Sequence, residues 1–332
     1  MITGPIFDTF TDAYLTVLRE IHDEPHHSTV TRGKTALETP NVSFTIRDPI
    51  ARTPYLAARR ANIVFNHAEA LWYLSGRDDL DMIAHYAPQL RGLSEDGTTL
   101  TGTAYGPRLF APSGPDGRTQ FDRVLALLRD DPDTKRAVML IMWPDELADA
   151  TNPDVACTLG LQFMLRAGRL HASAYMRGND AMIGLYSDTF AFTLIQEFAA
   201  RLLGVEIGSY AHHVGSMHIN TLHIGKAERI LAEHTRPDLG HAAMPSTTSW
   251  ADLRNVLSWE ERLRRNQAAF TTGSVDLDPY WAQVIALFEV HRQLTHHPDR
   301  PVTPGALALL RPGHHWLIEQ RWPDRMPAGV TP

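Results

Sequence analysis

The sequence of 332 residues has one cysteine, three lysines and no long apolar segment. One cysteine excludes an internal disulfide, and the first residues, "MITGPIFDTFTDAYL", have neither the basic start nor the apolar run of a signal peptide. No apolar run approaches the roughly 20 residues that a membrane-spanning helix needs. We therefore expect a cytoplasmic protein that has no membrane partner.

Positive charge is also in deficit. The chain carries 38 acidic and 31 basic residues, which gives a formal charge of −7, and a molecule of this sign does not as a whole attract nucleic acid. Its only lysines are Lys34, Lys135 and Lys226. An anionic ligand would therefore have to be bound by a local group of arginines.

The chain does contain helical and strand patterns, mixed without a regular alternation. The predicted elements are a helix over 7–23, a strand over 41–48, a buried helix over 58–76, a loop system over 77–118, a helix, turn and strand over 118–143, two strands over 159–178, a helix over 188–204, a strand over 205–219, a helix over 220–234 and one further helix over 279–294. This order favours a single α+β domain over residues 1–332, and not a doubly wound parallel sheet.

The single cysteine, Cys157, lies just ahead of the predicted strand pair, in "NPDVACTLGLQF". Most lone cysteines are buried packing residues, so Cys157 considered alone favours a structural role. A nucleophilic role depends on its neighbours, because reactive thiolates occur beside cationic groups.

Those neighbours form an ordered set of motifs. "HAEALWYLSG", "TAYGPRLF" and "DPDTKRAVMLIMW" precede the cysteine, and "CTLGLQFMLRAGRLHASAYMRGNDAMIG" and "HHVGSMHIN" contain and follow it. In this order they resemble the thymidylate synthase superfamily, over roughly residues 28–225, and the tail over 235–332 is divergent. The resemblance implies a large mixed β-sheet flanked by helices, a homodimer joined sheet to sheet with shared active sites, a pyrimidine nucleoside monophosphate as substrate, 5,10-methylenetetrahydrofolate as one-carbon donor, and no metal.

The resemblance assigns the chemistry to four residues. Cys157 is the nucleophile that adds to C6 of the pyrimidine, and Arg177 binds the nucleotide phosphate beside the sulfur. Glu69 orders water and moves protons, and a glutamate in an apolar helix has a reason to be there, since burial raises its pKa toward a working range. Tyr105 matches the family tyrosine near the cysteine.

Phosphate binding is assigned by the same resemblance to arginines, which bind dianions through fork-like contacts. Arg32 and Arg177 belong to one subunit, and Lys135 and Arg136 reach in from the other. Lys135 stands where the family has arginine. Gly178 stands where the family has a phosphate-binding serine.

Asp180 and Gly184 match positions that contact the folate. Asp154 stands where the family has an apolar residue, three positions before the cysteine. We expect this change to make the site wetter, so that water attacks the transferred methylene.

The base is expected to be cytosine because of Asp188, which stands where thymidylate synthases have asparagine. The amide of asparagine matches uracil, whereas a carboxyl group accepts from the cytosine N4 amino group and shares a proton with N3. Asp188 also fits a helix N-cap, and the sequence allows both roles.

The sugar is expected to be ribose. His218 is kept, but Asn220 replaces the family tyrosine, and a smaller polar side chain leaves room for a 2′-hydroxyl. The sequence therefore predicts a cytidylate hydroxymethylase that favours CMP over dCMP, similar to those of nucleoside-antibiotic pathways.

Other functions stay open at this point. A dCMP hydroxymethylase, a thymidylate synthase acting on dUMP, and a catalytically silent nucleotide-binding protein share the motifs. A metal hydrolase is suggested by His212, His213, His218 and His223, but their spacing is not that of a helical ligand pair.

Overall fold

The computed structural model describes residues 4–31, 33–271, 273 and 277–327. Within these residues the strands and helices are β1 (Ile6–Phe7), α1 (Phe10–Asp23), β2 (His27–Thr31), β3 (Lys34–Ile46), α2 (Ile63–Leu74), α3 (Leu80–Tyr86), α4 (Gly106–Phe110), α5 (Gln120–Asp130), β4 (Val138–Leu140), β5 (Thr158–Arg166), β6 (Arg169–Met176), β7 (Asn179–Asp180), α6 (Gly184–Leu203), β8 (Glu206–Asn220), α7 (Ile224–Leu231), α8 (Trp250–Arg264), α9 (Pro279–His296), α10 (Pro304–Leu307) and α11 (Pro312–Arg321).

The strands form one mixed sheet in the order β1-β3-β8-β6-β5-β4, with β2 paired to β3 and β7 to β8. Strands β3 and β8 are antiparallel, whereas β6 and β7 run parallel to β8. Helices flank this sheet, so the predicted α+β class with a large mixed sheet is confirmed. The turn between β5 and β6 uses Ala167 and Gly168, both with positive φ, as the sequence predicts.

Helix α2 is apolar on nearly every side, since all of its residues but Phe65 are buried. Asn62 caps its first turn by accepting from the Phe65 N–H, and Gly76, with φ of 68°, lies just past its end. A helix that is hydrophobic all round belongs in a protein interior. Helix α2 therefore carries Glu69 into the core.

Helix α6 begins at Gly184, four residues before the predicted start. Its N-cap is Ile183, so the N-cap role considered for Asp188 is wrong: Asp188 lies inside the helix, more than one turn from its N-terminus. Gly204 ends the helix with φ of 69°, as predicted. The misplaced start has a physical cause, because the Asp180 side chain turns the chain into the helix by accepting from the Met182 and Ile183 N–H groups.

Two predicted loop regions are more ordered than expected. The segment "EPHHSTVTRGKTALETP", which is predicted as a polar loop, contains β2 and the first part of β3, which pair antiparallel, and the 77–118 region contains α3 and α4. Among the residues beyond 235 that the structure describes there are four α-helices, where one helix was predicted. The pattern over 250–264 was missed because α8 is a polar helix whose few apolar residues pack on α9.

The tail packs on the same core as the rest of the chain. Trp281 and Ile285 of α9 and Leu317 of α11 are each at most 1% exposed and belong to the core cluster that also holds Trp72 of α2. Within the described part of the chain, each helix is too short or too polar to cross a bilayer.

Candidate active site

Cys157 is half-buried at the start of β5, and the structure places Arg177 directly against it. The backbone N–H of Arg177 donates to the Cys157 carbonyl at 2.9 Å, and its guanidinium Nη2 lies 3.8 Å from Sγ. The same guanidinium donates to the carbonyls of Val155 at 3.0 Å and Ala156 at 2.8 Å, which fixes its position. A guanidinium held at this distance favours the thiolate form of a cysteine.

Tyr105 lies in the same neighbourhood, buried at the start of α4. Its ring stacks on Tyr73 of α2, with 5.0 Å between centroids. Burial, Asp188 and Cys157 together raise the pKa of Tyr105 well above its usual value. The phenol is therefore held as a neutral hydroxyl beside the sulfur.

Glu69 is 7% exposed. Burial, followed by the nearby Asp188, raises its pKa well above the usual range, opposed by a hydrogen bond with Tyr73. Its Oε2 atom has no hydrogen-bond partner among the described residues. A buried carboxyl oxygen without a partner is costly, and such groups mark sites where a ligand or water completes the bonding.

Asp188 is 9% exposed, and burial raises its pKa to about 7, against a hydrogen bond with Asn179. Asn179 is itself buried and contacts His212 Nε2 at 3.2 Å, while His212 Nδ1 contacts the Tyr210 hydroxyl at 2.8 Å. Sequence reasoning missed Asn179, although it directly follows "MRG" in a quoted motif. The Asp188 carboxyl is thus supported from behind by a polar chain.

A cleft of about 840 Å³ opens beside Arg177. Its lining includes the predicted Arg177, Gly178, His218 and Asn220, together with Thr29, Thr31, Lys34, Ala36, Glu38 and Ser216. Glu38 of β3 is directly opposite His218 of β8 in the strand register. Because side chains alternate along a strand, Ala36, Glu38, His218 and Asn220 share one face.

Glu38 is the lining residue that sequence reasoning missed. It is half-buried, and the Ser216 hydroxyl donates a hydrogen bond to its Oε1. The signal was present in "ALETPNVSF", where a glutamate interrupts the apolar face of a strand. The interruption went unread because β3 was predicted to start only at residue 41.

Two of the lining positions differ from expectation in detail. Asn220 already uses its Oδ1 to accept from the Leu222 N–H at 3.0 Å, whereas no hydrogen bond of its amide nitrogen occurs among the described residues. A side chain at Gly178 would meet nothing nearer than the Ser216 carbonyl, at 3.6 Å. The cleft therefore has space where the family places a serine.

Asp154 does not face an open site. It is 2% exposed, and its carboxylate accepts from the backbone N–H groups of Thr101, Gly102 and Thr103 at 2.8 to 2.9 Å and from the Thr103 hydroxyl. The expectation that Asp154 makes the site wetter is wrong, because loop 101–103 occupies its oxygens. Its place is under the loop that leads to Tyr105.

The predicted folate residues lie at the entrance to α6. The Asp180 side chain accepts hydrogen bonds from the N–H groups of the turn described above. At Gly184 a Cβ would lie 2.2 Å from Asn179 Oδ1 and 3.2 Å from Asp188 Oδ2. Gly184 is therefore required by the close approach of Asn179. The folate contacts assigned to Asp180 and Gly184 stay predictions.

A second cleft, of about 920 Å³, lies beside the first turns of α2 and α6. Its lining has apolar members, Phe65, Tyr86, Met182 and Ile183, and a cationic group of Arg59, Arg60, Lys226 and Arg321. Burial and the neighbouring arginines lower the pKa of Lys226 to about 8. This cleft thus combines an apolar wall with an excess of positive charge.

The remaining phosphate residues are not brought to the cleft by this chain. Lys135 and Arg136 are exposed on the segment before β4 and do not line either cleft. Arg32 lies outside the described residues. The expectation that Lys135 and Arg136 reach the site of a second subunit stays a prediction.

The four histidines of the hydrolase interpretation do not converge. His212 is fully buried and bonded to Tyr210, whereas His213 points to the other face of β8 and stacks on Tyr175 at 5.0 Å. His218 lines the nucleotide-sized cleft and His223 the cationic one. In the described residues, no three His, Cys, Asp or Glu side chains are grouped so as to hold a metal ion.

Residues 12–254 match the family model described as thymidylate synthase. A deoxyuridylate hydroxymethyltransferase of Bacillus phage SP01 is 37% identical over 199 residues, covering 57% of this chain and 51% of that protein. Thymidylate synthase 1 of Bacillus subtilis (strain 168) is 32% identical over 165 residues, covering 46% of this chain and 55% of that protein. The chain spans about half the length of these curated relatives.

The fold is similar to that of a solved structure, the thermostable thymidylate synthase A from Bacillus subtilis. The TM-score is 0.57 at 21% identity, and the match covers 69% of this chain and 87% of that one. The family model spans well over half of the chain, from α1 into α8. The chain therefore belongs to the thymidylate synthase family.

Proposed function

We propose that this protein transfers a one-carbon unit from 5,10-methylenetetrahydrofolate to C5 of cytidine 5′-monophosphate and that water completes the reaction, giving 5-hydroxymethyl-CMP and tetrahydrofolate. The observation that carries the choice of base is the environment of Asp188. A carboxyl group inside a helix, 9% exposed and with a pKa of about 7, is half protonated near neutral pH. In that form it donates to one atom and accepts from another, as the cytosine edge requires.

The same proton serves the chemistry. When the Cys157 thiolate adds to C6, the electron pair of the C5–C6 double bond moves toward C4 and that of the C4–N3 bond moves onto N3. A proton from Asp188 neutralises N3, and C5 becomes an enamine carbon that attacks the methylene group. Arg177, 3.8 Å from the sulfur, stabilises the thiolate that starts this sequence.

Glu69 is proposed to carry protons between the base and bound water. Burial raises its pKa well above the usual range, which favours the protonated acid, and its unpartnered Oε2 is free to bind water or the substrate. General acid–base groups work best when their pKa lies near the working pH. Tyr105, a neutral hydroxyl near the sulfur, is proposed to assist in the same proton transfers.

The fate of the methylene is supported by relatives and not by Asp154. The curated relatives include deoxyuridylate hydroxymethyltransferases of Bacillus phage SP01 and Pseudomonas phage M6. We infer the same outcome for this chain, in which water attacks the methylene carbon and no hydride is taken from the folate. Before this step C5 loses its proton and tetrahydrofolate leaves unoxidised, and after it elimination of the Cys157 thiolate from C6 restores the C5–C6 double bond.

The cationic cleft beside α2 and α6 is the proposed folate site. Its apolar wall suits a pterin and a benzoyl ring, and its group of Arg59, Arg60, Lys226 and Arg321 suits the carboxylates of the glutamate tail. Asn66 and Ser187 line this cleft and are hydrogen-bonded to each other at 3.4 Å. Ser187 directly precedes Asp188 in α6, so the cleft lies close to the proposed base site.

Ribose selection is proposed to depend on Glu38 and Asn220. A carboxylate accepts hydrogen bonds from hydroxyl groups, and Glu38 lies opposite His218 in a cleft that has free space at Gly178. A 2′-hydroxyl gives Glu38 a donor that deoxyribose lacks. CMP is therefore favoured over dCMP.

A homodimer is proposed from the outer face of the sheet. Val138, Leu140, Leu159 and Tyr175 are each at least 39% exposed, and they belong to the adjacent strands β4, β5 and β6. Exposed apolar side chains on neighbouring strands indicate a surface that another molecule covers. A partner docked there would bring Lys135 and Arg136 to the phosphate.

A second candidate substrate is deoxyuridylate, because that base and sugar are named in the relatives. Incubation with CMP, dCMP or dUMP and methylenetetrahydrofolate, followed by mass spectrometry, separates these cases. We expect CMP to gain CH₂O with release of tetrahydrofolate. A gain of CH₂ with dihydrofolate, or turnover of dUMP alone, contradicts the proposal.

A catalytically silent nucleotide-binding protein is tested by Cys157→Ala. We expect the variant to bind CMP while turnover falls about 10⁴-fold, as for other removed nucleophiles. Equal rates for the variant and the wild type contradict a nucleophilic role for Cys157.

A further inference from the structure

A third cavity lies behind α2 and α6, where the tail helices close against the core. Its volume is about 410 Å³, including the part that is open to solvent. Its wall is formed by Ile50, Arg52, Thr53, His67, Phe190, His241, Ala242, Tyr280, Gln283, Val284, Arg311 and His314. This volume is less than half that of either cleft described above, which suits a compact ion and not a nucleotide.

The lining has two arginines and no carboxylate. Arg52 is buried and is paired with Glu197 at 2.5 Å. Glu197 also lies 3.6 Å from Arg201 and accepts from the Met244 N–H at 2.6 Å, so its charge is already shared. Arg311 has no ion pair within the part of the chain that the structure describes.

The first turn of α11 supplies further donors. Arg311 is its N-cap residue, and Gly313 and His314 lie in the first turn, where backbone N–H groups lack partners within the helix. His314 is 2% exposed, and neither of its ring nitrogens has a hydrogen-bond partner among the described residues. The Nε atom of Arg311 is likewise buried and unpartnered.

Electrostatics agree with this geometry. Burial and the Arg52 guanidinium lower the pKa of Arg311, and burial and Arg311 lower the pKa of His314 well below its usual value. The cavity is therefore short of negative charge. A neutral His314 still donates one ring N–H.

We propose that this cavity binds a small inorganic oxyanion of phosphate or sulfate size, held by the Arg311 guanidinium, the His314 ring and the N-terminus of α11. An anion there completes the bonding of groups that are otherwise buried without partners. It also joins α11 to α2 and α6, because His67 of α2 and Phe190 of α6 line the same cavity and the His67 ring contacts the His314 ring at 5.4 Å between centroids. This site is separate from the nucleotide cleft and does not depend on the proposed function.

The direct test is a crystal grown or soaked with arsenate as a probe for phosphate. We expect an anomalous arsenic peak in the cavity within hydrogen-bond distance of Arg311 and His314. Water density alone at this position, in a crystal whose nucleotide cleft holds arsenate, overturns the proposal.

The solution test starts from Arg177→Gln, which removes phosphate binding in the nucleotide cleft. Calorimetric titration of this variant with inorganic phosphate should report the cavity alone. Adding Arg311→Gln should weaken the remaining binding at least tenfold, whereas adding Arg236→Gln, an exposed arginine outside the cavity, should leave it unchanged. Equal binding in the two double variants overturns the proposal.

Folding is checked by thermal unfolding without added anion. If Arg311→Gln unfolds, Arg311→Lys replaces it, since lysine keeps the charge but loses the fork of donors. The expected result is then a measurable loss of phosphate affinity in a folded protein, and an undiminished affinity overturns the assignment of Arg311.

Discussion

Helices α2 and α6 carry Glu69 and Asp188 toward the cysteine, and His67 and Phe190 toward the cavity behind them. Residues two apart on a helix point to opposite sides, so one pair of helices separates two buried polar regions. On the cysteine side burial raises the pKa values of two acids. On the other side burial lowers the pKa values of His67, Arg311 and His314.

The cause is the same on both sides, because burial disfavours whichever form is charged. The consequence differs. The acidic side keeps protons, which suits a reaction that protonates a pyrimidine ring. The basic side has an unbalanced guanidinium and neutral imidazoles, which suits a bound anion. The two regions therefore differ in what each needs from a ligand.

The largest expected effect is a difference in kcat between substitutions on the two faces of α2. Glu69→Gln should lower kcat about 10³-fold, within the range for a lost acid–base group. His67→Gln, two residues away, should change kcat by less than a few-fold, since His67 does not reach the base. Steady-state assays of both variants make the comparison, and similar losses in the two contradict the separation.

The next largest effect is a difference in base preference between substitutions on the two faces of α6. Asp188→Asn should lower kcat/KM for CMP about 100-fold, because a buried group is left without its correct partner, and should raise the activity on a uridine nucleotide. Phe190→Leu is the matched control and should keep the preference for CMP. A variant that keeps its preference for cytosine contradicts the role of Asp188.

Two buried groups, Asp188 and His67, should make opposing contributions to the pH dependence of stability over the same range. The pKa of Asp188 is raised from 3.8 to about 7, so its contribution is present below pH 3.8 and is lost as the pH rises through 7. The pKa of His67 is lowered from 6.5 to about 3, so its contribution is present above pH 6.5 and is lost as the pH falls toward 3.

Urea titrations of the wild type and two variants at several pH values should reveal these two pH-dependent contributions to the free energy of unfolding. In the wild type, His67 should lower the free energy of unfolding by roughly 2 kcal/mol as the pH falls from 7.5 to 5. The His67→Gln variant should not show this decrease. In the wild type, Asp188 should lower the free energy of unfolding by a similar amount as the pH rises from 5 to 8, and the Asp188→Asn variant should not show this decrease. Parallel pH profiles for wild type and either variant would be evidence that the group is not perturbed as described.

The smallest expected effect concerns sugar selection in the cleft beside Arg177. Glu38→Gln should reduce the preference for CMP over dCMP about tenfold, the value of one hydrogen bond to a charged group. Competition assays with both nucleotides measure the ratio directly. Ser216→Ala, which removes a neighbour of Glu38 but leaves its carboxylate, should change the ratio less.

Much of the fold was predictable from local pattern. The apolar run of α2, the turn at Ala167 and Gly168, and Gly204 at the end of α6 are local signals, and each is confirmed. The start of α6 was predicted too late, because the Asp180 turn is set by side-chain contacts. Helices α8, α10 and α11 were missed, since their apolar residues are few and become buried only against other elements.

The site was predictable where motifs fix it and not where packing does. The positions of Cys157 and Arg177 follow from their places at the ends of paired strands. The expectation that Asp154 makes the site wetter was wrong, because a carboxylate three residues from a cysteine does not reveal which loop will cover it. Glu38 was missed because its partner strand is far away in the sequence.

The sequence by itself was enough to identify the family and to propose Cys157 as the nucleophile, since both inferences depend on residue identity and short spacing. The tertiary structure decided which of the polar residues are charged. Burial is a property of long-range packing, and only the packed chain raises the pKa values of Glu69 and Asp188 and leaves the Arg311 Nε and the His314 ring nitrogens without hydrogen-bond partners among the described residues.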